Sequence, residues 1–227
     1  MNSQEKPTRA TVIGIDGSGK STAAHAAARL LSMEHTESDI RVADSTGLAY
    51  YGAGEITNKR FENLDKIEPE AKSSKFETIL RMGSFTLLRQ FMEQSYGHQP
   101  DTLTIGVRDP FRIDLAAYLP VFLGDRVSPS PEKRLKLFHS LTRAIHPSTI
   151  AYLDVDPQVA HANTQGREAA NAHETPEKIQ RAAEDFPNIL TTYQRLYGTP
   201  VNMVEALTPT SAEQIATQFE EFVPRKR

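Results

Sequence analysis

Apolar and polar positions fall in blocks along this chain, and the blocks switch repeatedly between the period of a strand and that of a helix. Ala10 to Ile15 is a short run of small and β-branched residues leading straight into a glycine-rich turn, the pattern of a buried strand. From about Lys20 to Leu31 the spacing and the run Ala23, Ala24, Ala26, Ala27 and Ala28 predict a helix. Arg41 to Asp44 reads as a second strand, whereas the polar stretch Tyr50 to Glu70 carries no periodic signal and receives no assignment. Between Ser73 and Gln94, residues Phe76, Ile79, Leu80, Phe85, Leu87, Leu88, Phe91 and Met92 recur at helical spacing, predicting one long helix or two abutting ones.

The second half repeats the alternation. Leu103 to Val107 is a strand halted at Arg108-Asp109-Pro110, since proline cannot donate to a ladder. Helices follow over Asp114 to Leu123 and Glu132 to Ile145, then a strand over Thr149 to Val155, and Asp156-Pro157 opens another helix. Gln165 to Thr175 is polar and built of small residues around a single arginine. Pro176 to Leu196 is helical, Val201 to Val204 is the last strand, and Ser211 caps a closing helix that runs to Phe222. Strands alternating with helices predict an α/β fold: a mostly parallel, five-stranded sheet with helices on both faces, in three layers.

Composition narrows the chemistry only slightly. With 227 residues, 38% hydrophobic and 24% charged, the chain suits one domain spanning residues 1–227. A net charge of -3 argues against a general polyanion binder, so no nucleic-acid partner is expected. The absence of cysteine removes disulfides, thiolate zinc sites and cysteine nucleophiles. The polar start MNSQEKPTRA does not read as a signal peptide, and no run reaches the roughly 18 apolar residues of a membrane span, so a cytoplasmic protein without a membrane partner is expected.

The chemistry is concentrated in Gly14-Ile15-Asp16-Gly17-Ser18-Gly19-Lys20-Ser21, which satisfies G-x-x-x-x-G-K-[ST] between a predicted strand and a predicted helix. Gly14, Gly17 and Gly19 let backbone N–H groups turn inward around an anion, and the helix start adds partial positive charge. Lys20 brings a cation to the β and γ phosphates of ATP, and Ser21 offers an oxygen to Mg²⁺. Asp16, Ser18 and Thr22 complete the expected nucleotide cradle. No N-K-x-D motif and no strand ending in D-x-x-G is present, which disfavours a GTPase.

Beyond the loop, the chain resembles the thymidylate kinase family of P-loop nucleoside monophosphate kinases along nearly its whole length. GIDGSGKST carries Asp16 between its glycines, as that family does, and there the carboxylate lies beside the acceptor's sugar. Phe85 and Arg89 match F-x-x-x-R, whose phenylalanine stacks on the base and whose arginine approaches the acceptor. Asp109, Ala117 and Tyr118 keep the spacing of D-R-[YH]-x-x-S-x-x-A-Y-Q. The run His146 to Pro157 looks like the strand and helix start before the lid, and Asp185, Phe186 and Tyr193 echo the helix after it.

The resemblance implies transfer of the ATP γ-phosphate to a small-molecule acceptor, dTMP to dTDP, by a homodimer. It assigns Lys20, Asp16, Asp109 and Arg167 as catalytic residues, Ser21 and Asp109 to Mg²⁺, and Phe85, Arg89, Arg108, Arg112 and Tyr118 to the acceptor. Arg167 would act from a lid at about residues 163–176, closing over the transferring group and excluding water. The chain departs from the family at three points. R-E-P-G-G-T has no counterpart at Asp44-Ser45-Thr46-Gly47, Pro110 stands where the second arginine of the dyad belongs, and Leu119 replaces glutamine. Two alternatives therefore stand beside the main expectation: a kinase of a nucleoside or other small metabolite, and a nucleotide-binding protein without turnover.

Overall fold

Each strand of the chain presents two faces, and the structure, a computed structural model, shows what covers them. It describes residues 8–44, 47–52, 55–60, 102–107, 113–124, 128–142, 146–165 and 175–224. In order these form β1 (Thr8–Gly14), α1 (Lys20–Glu34), β2 (Asp39–Ala43), β3 (Gly47–Gly52), β4 (Glu55–Arg60) and β5 (Thr102–Val107). There follow α2 (Ile113–Leu123), α3 (Pro131–Thr142), β6 (Thr149–Asp154), α4 (Pro157–Gln165), α5 (Pro176–Tyr197), β7 (Val201–Glu205) and α6 (Ser211–Phe219). One sheet results, in the order β4-β3-β2-β5-β1-β6-β7.

The five strands β2, β5, β1, β6 and β7 are mutually parallel, as the alternating pattern predicts. The sheet is wider than expected, because β3 and β4 add an antiparallel pair beyond β2. They come partly from the polar stretch that gave no sequence signal. An antiparallel edge on a parallel sheet is a common arrangement, and such strands need not be apolar on both faces.

Period-2 alternation sorts the core into two clusters. Ala10 and Val12 of β1, Leu103 and Ile105 of β5, and Ala151 and Leu153 of β6 face α1 and α6, meeting Ala24, Ala27, Leu31, Ile215 and Phe219. Ile13, Ile150 and Tyr152 face the other way, onto Ile113, Tyr118, Leu135, Ala160 and Phe186 of α2, α3, α4 and α5. The alanine-rich face of α1 lets that helix sit close to the sheet, and the large side chains opposite each contribute about 1.5–3 kcal/mol by leaving water.

Helix α5 shows how directly pattern becomes structure. Ile179, Ala182, Phe186, Ile189, Leu190 and Tyr193 are its buried residues and fall on one stripe at three- and four-residue spacing. Pro176 occupies its first turn, and Gly198 ends it at φ 73 with its N–H donating to Gln194 O at 2.8 Å. The closing helix departs from expectation. Thr210, not Ser211, is the N-cap of α6, which ends at Phe219 before a short 3₁₀ turn over Glu220–Phe222. Ser211 Oγ instead donates to Glu205 O at 2.6 Å and accepts from Thr208 N at 3.1 Å, pinning the β7–α6 loop.

An ion pair between a buried arginine and a half-buried aspartate joins α3 to α5. Arg134 Nη1 and Nη2 donate to Asp185 Oδ2 and Oδ1 at 2.6 and 2.9 Å, and the Arg134 side chain keeps only 2% of its surface exposed. Removing Asp185 leaves that guanidinium buried without its carboxylate. Asp185→Ala is therefore expected to destabilise the fold by about 3 kcal/mol, read as a lower denaturant midpoint at unchanged slope.

Candidate active site

The phosphate loop occupies the C-terminal edge of the central strand β1. Gly17 and Gly19 take φ 88 and 79, conformations that side chains with a Cβ rarely adopt, and Gly19 is the N-cap of α1. At Gly14 and Gly17 space is as limiting as torsion: a Cβ on Gly14 would lie 2.7 Å from Ser18 Oγ, and one on Gly17 only 2.0 Å from Ala160 O. Helix α4 thus backs directly onto the loop, and Asn163 Nδ2 donates to Gly17 O at 3.2 Å. No side chain caps the first turn of α1.

Lys20 lies back along its own loop. Its Nζ donates to Gly14 O at 3.0 Å and Ile15 O at 2.7 Å, and stands 3.9 Å from Asp16 Oδ1, with both side chains buried. A cation is therefore preorganised where the loop turns. Tyr118 reaches the same loop from α2, its hydroxyl accepting the Asp16 N–H at 2.8 Å. Ser18 Oγ is buried and has no hydrogen-bond partner among the described residues, a polar atom still to be satisfied inside the cradle. Ser21 and Thr22 are exposed on the first turn of α1, so their hydroxyls are open to a ligand. Glycine torsions, a buried lysine and an orphan hydroxyl all fit a polyphosphate.

Two further groupings of polar side chains lie on the sheet and on α1. Asp44 follows β2 directly, and its Oδ2 lies 3.1 Å from His25 Nε2 of α1, while His25 Nδ1 lies 2.6 Å from the hydroxyl of Tyr51 on β3. Across the sheet face turned away from α1, Arg9 of β1, Thr104 of β5 and Arg41 of β2 stand in register on one rung. Arg41 is buried and its Nε donates to Thr104 Oγ1 at 2.7 Å. The Arg9 guanidinium extends over Gly106, where a Cβ would lie 2.7 Å from its Nη2.

No protein-family model matches the chain, and no curated protein matches it significantly. Its architecture, however, matches solved structures over nearly the whole length. A structure titled deoxyadenosine kinase from M. mycoides with bound dATP aligns with a TM-score of 0.60, covering 93% of this chain and 98% of that one at 14% identity. A second structure, titled as the same enzyme with products dCMP and a flexible dCDP bound, aligns with a TM-score of 0.60 over 94% and 99% of the two chains at 15% identity. The chain has the three-layer P-loop fold of these structures.

Within that fold, Gly14, Asp16, Gly17, Ser18, Gly19, Lys20, Ser21 and Thr22 follow one another along the loop and the start of α1, and Tyr118, expected at the acceptor, contacts the loop through the Asp16 amide. Phe85, Arg89, Arg108, Asp109, Arg112 and Arg167 lie outside the described residues. Four features escaped sequence reasoning: the His25–Asp44–Tyr51 link, the arginine rung, Asn163 and Leu207. Leu207 is the only non-glycine residue at positive φ among those described, at 61, and is 46% exposed in the β7–α6 loop. A Cβ on Gly19 would lie 2.9 Å from Leu207 Cδ2, so this apolar side chain rests against the end of the phosphate loop. A leucine held at this φ runs against its own propensity, which no spacing in the sequence reveals.

Proposed function

We propose that this protein transfers the γ-phosphoryl group of ATP to a hydroxyl of a nucleoside, with a deoxynucleoside as the preferred acceptor. The observation that carries the reading is the carboxylate of Asp44 at the end of β2. The chain bears it where thymidylate kinases carry an arginine-bearing motif, and parallel strands bring their C-terminal ends to one edge, the edge that bears the phosphate loop. A carboxylate there repels an acceptor phosphate but accepts a proton from an acceptor hydroxyl. The likeness to solved deoxyadenosine kinases supports the same choice.

In this mechanism the loop amides and Lys20 hold the β and γ phosphates, offsetting charge that would otherwise repel the incoming oxygen. Ser21 would offer its hydroxyl to Mg²⁺, which when bound neutralises the donor's terminal phosphates. The acceptor O–H gives its proton to Asp44, the oxygen forms a bond to the γ phosphorus, and the bond to the ADP oxygen breaks. Leu207 offers an apolar surface to the donor's base, and Tyr118 keeps the Asp16 amide in place at the loop's turn. Asp109 and Arg167 keep the metal and lid roles that the sequence suggests for them.

One observation favours a monophosphate acceptor such as dTMP: the rung of half-buried Arg9 and buried Arg41, two cations on one sheet face. Coupled assays of ADP release across deoxynucleosides, ribonucleosides and their 5′-monophosphates separate the readings. A deoxynucleoside is expected to give the highest kcat/KM. A monophosphate in that position would establish the second reading, and ATP binding without transfer to any acceptor would overturn both.

A further inference from the structure

We propose that His25 and Tyr51 form a positioning relay that fixes the Asp44 carboxylate at a set distance from Lys20, with α1 as the rigid spacer. The inference rests on the reading of Asp44 as the base for a hydroxyl acceptor. It begins from three side chains on three elements: Tyr51 on β3, His25 on α1 and Asp44 beyond β2. Their distances of 2.6 and 3.1 Å are those of hydrogen bonds, and the order phenol, imidazole, carboxylate allows each group to satisfy the next.

The donors follow from the chemistry. Burial, and then the Asp44 charge, raises the Tyr51 pKa against the opposing pull of Arg29, so the phenol remains protonated and is a donor. With its O–H donating to Nδ1, the imidazole carries its proton on Nε2, and Nε2–H donates to Asp44 Oδ2. One carboxylate oxygen is thereby engaged and the plane of the carboxylate is held. Asp44 follows the last residue of β2, and a base just past a strand end loses its aim unless its side chain is tied down.

The spacer is what makes the relay more than a local tie. His25 stands five residues after Lys20 on the same helix, a rise of about 7.5 Å. The cation that holds the donor phosphates and the imidazole that holds the base are therefore built on one rigid element, whose alanine face is packed into the core. Displacing a reacting group by about 1 Å costs on the order of 10²-fold in rate, so this indexing matters for turnover while leaving donor binding alone.

The test is a set of four variants of the full chain, with deoxynucleoside as acceptor, read by kcat, KM for each substrate, ATP affinity and thermal midpoint. Asp44→Asn is expected to lower kcat about 10²- to 10⁴-fold, leaving a measurable residual rate. His25→Ala is expected to lower kcat about 10- to 100-fold with ATP affinity and thermal midpoint retained. His25→Gln, which keeps a donor for Oδ2, should recover most of that loss, and Tyr51→Phe should show a smaller loss of the same kind. In the Asp44→Asn background, His25→Ala should cause no further loss of the residual rate. The expected loss in Asp44→Asn beside an unchanged His25→Ala overturns the relay alone. Full activity in Asp44→Asn overturns the reading of Asp44 and the relay with it. Additive losses, or losses tracking the thermal midpoint in both His25→Ala and Tyr51→Phe, assign the pair a structural role only and also overturn the proposal.

Discussion

Replacing Lys20 with alanine is expected to lower kcat/KM for phosphoryl transfer by about 10²–10³-fold while moving the thermal midpoint by only a few degrees. The kinetic loss follows from where the ammonium is held. Two carbonyls of the loop itself, Gly14 O and Ile15 O, take its hydrogen bonds, and Asp16 lies 3.9 Å away, so the charge is in place before a polyphosphate arrives. A preorganised cation acts on charge developing in the transition state without reorganisation at that moment.

The stability change stays small because two effects oppose. Truncation removes two hydrogen bonds from buried carbonyls and a counter-charge from buried Asp16, costing about 1–3 kcal/mol. It also relieves the desolvation of a nearly buried ammonium, which offsets part of that cost. Arginine should not rescue turnover, since a planar guanidinium is a poor fit for a nest shaped around a compact ammonium. Steady-state kinetics, ATP calorimetry and a melting curve on the same preparation check all three statements. An unchanged kcat/KM in Lys20→Ala would remove the basis for a phosphate-holding role.

How much of this was legible in the sequence depends on the range of the interaction concerned. The loop is eight consecutive residues whose glycines are demanded by torsion and contact, so Gly14 to Ser21 could be read without a fold. Helix α5 was equally legible, because burial of Ile179, Phe186 and Tyr193 imposes a period that survives in one dimension. The strands β3 and β4 were not: β4 is Glu-Ile-Thr-Asn-Lys-Arg, polar residues that an antiparallel edge tolerates, and β3 is only four apolar residues between two glycines.

Contacts between distant residues left no trace at all. His25, Asp44 and Tyr51 are separated by 19 and 26 residues, and only the pairing of β2 with β3 under α1 draws them together. Asp185 carries the complementary lesson. It entered through its likeness to a motif after the lid, yet in the fold it is the partner of buried Arg134, 51 residues away. Leu207 was invisible for a different reason: a leucine at φ 61 contradicts its own propensity, and only the loop pinned by Ser211 forces it there.

Gly17→Ala is the second large effect, and it should abolish nucleotide binding where Gly198→Ala does not. Two penalties coincide at this residue. Its φ of 88 costs a residue with a Cβ about 1–3 kcal/mol, and that Cβ would lie 2.0 Å from Ala160 O and 2.7 Å from Ala160 C. The obstacle is backbone, held inside α4, so no rotamer change and no truncation at position 160 relieves it. Either the loop or the first turns of α4 must shift, and the Asn163 bond to Gly17 O goes with them. Gly198 provides the matched control: its φ of 73 is similarly strained, but a Cβ there meets nothing within 4 Å. Gly198→Ala should therefore lower stability by the torsional cost alone and leave ATP affinity intact. If the two variants lost stability equally and both still bound ATP, the close packing of α4 against the phosphate loop would have no part in holding the cradle's shape.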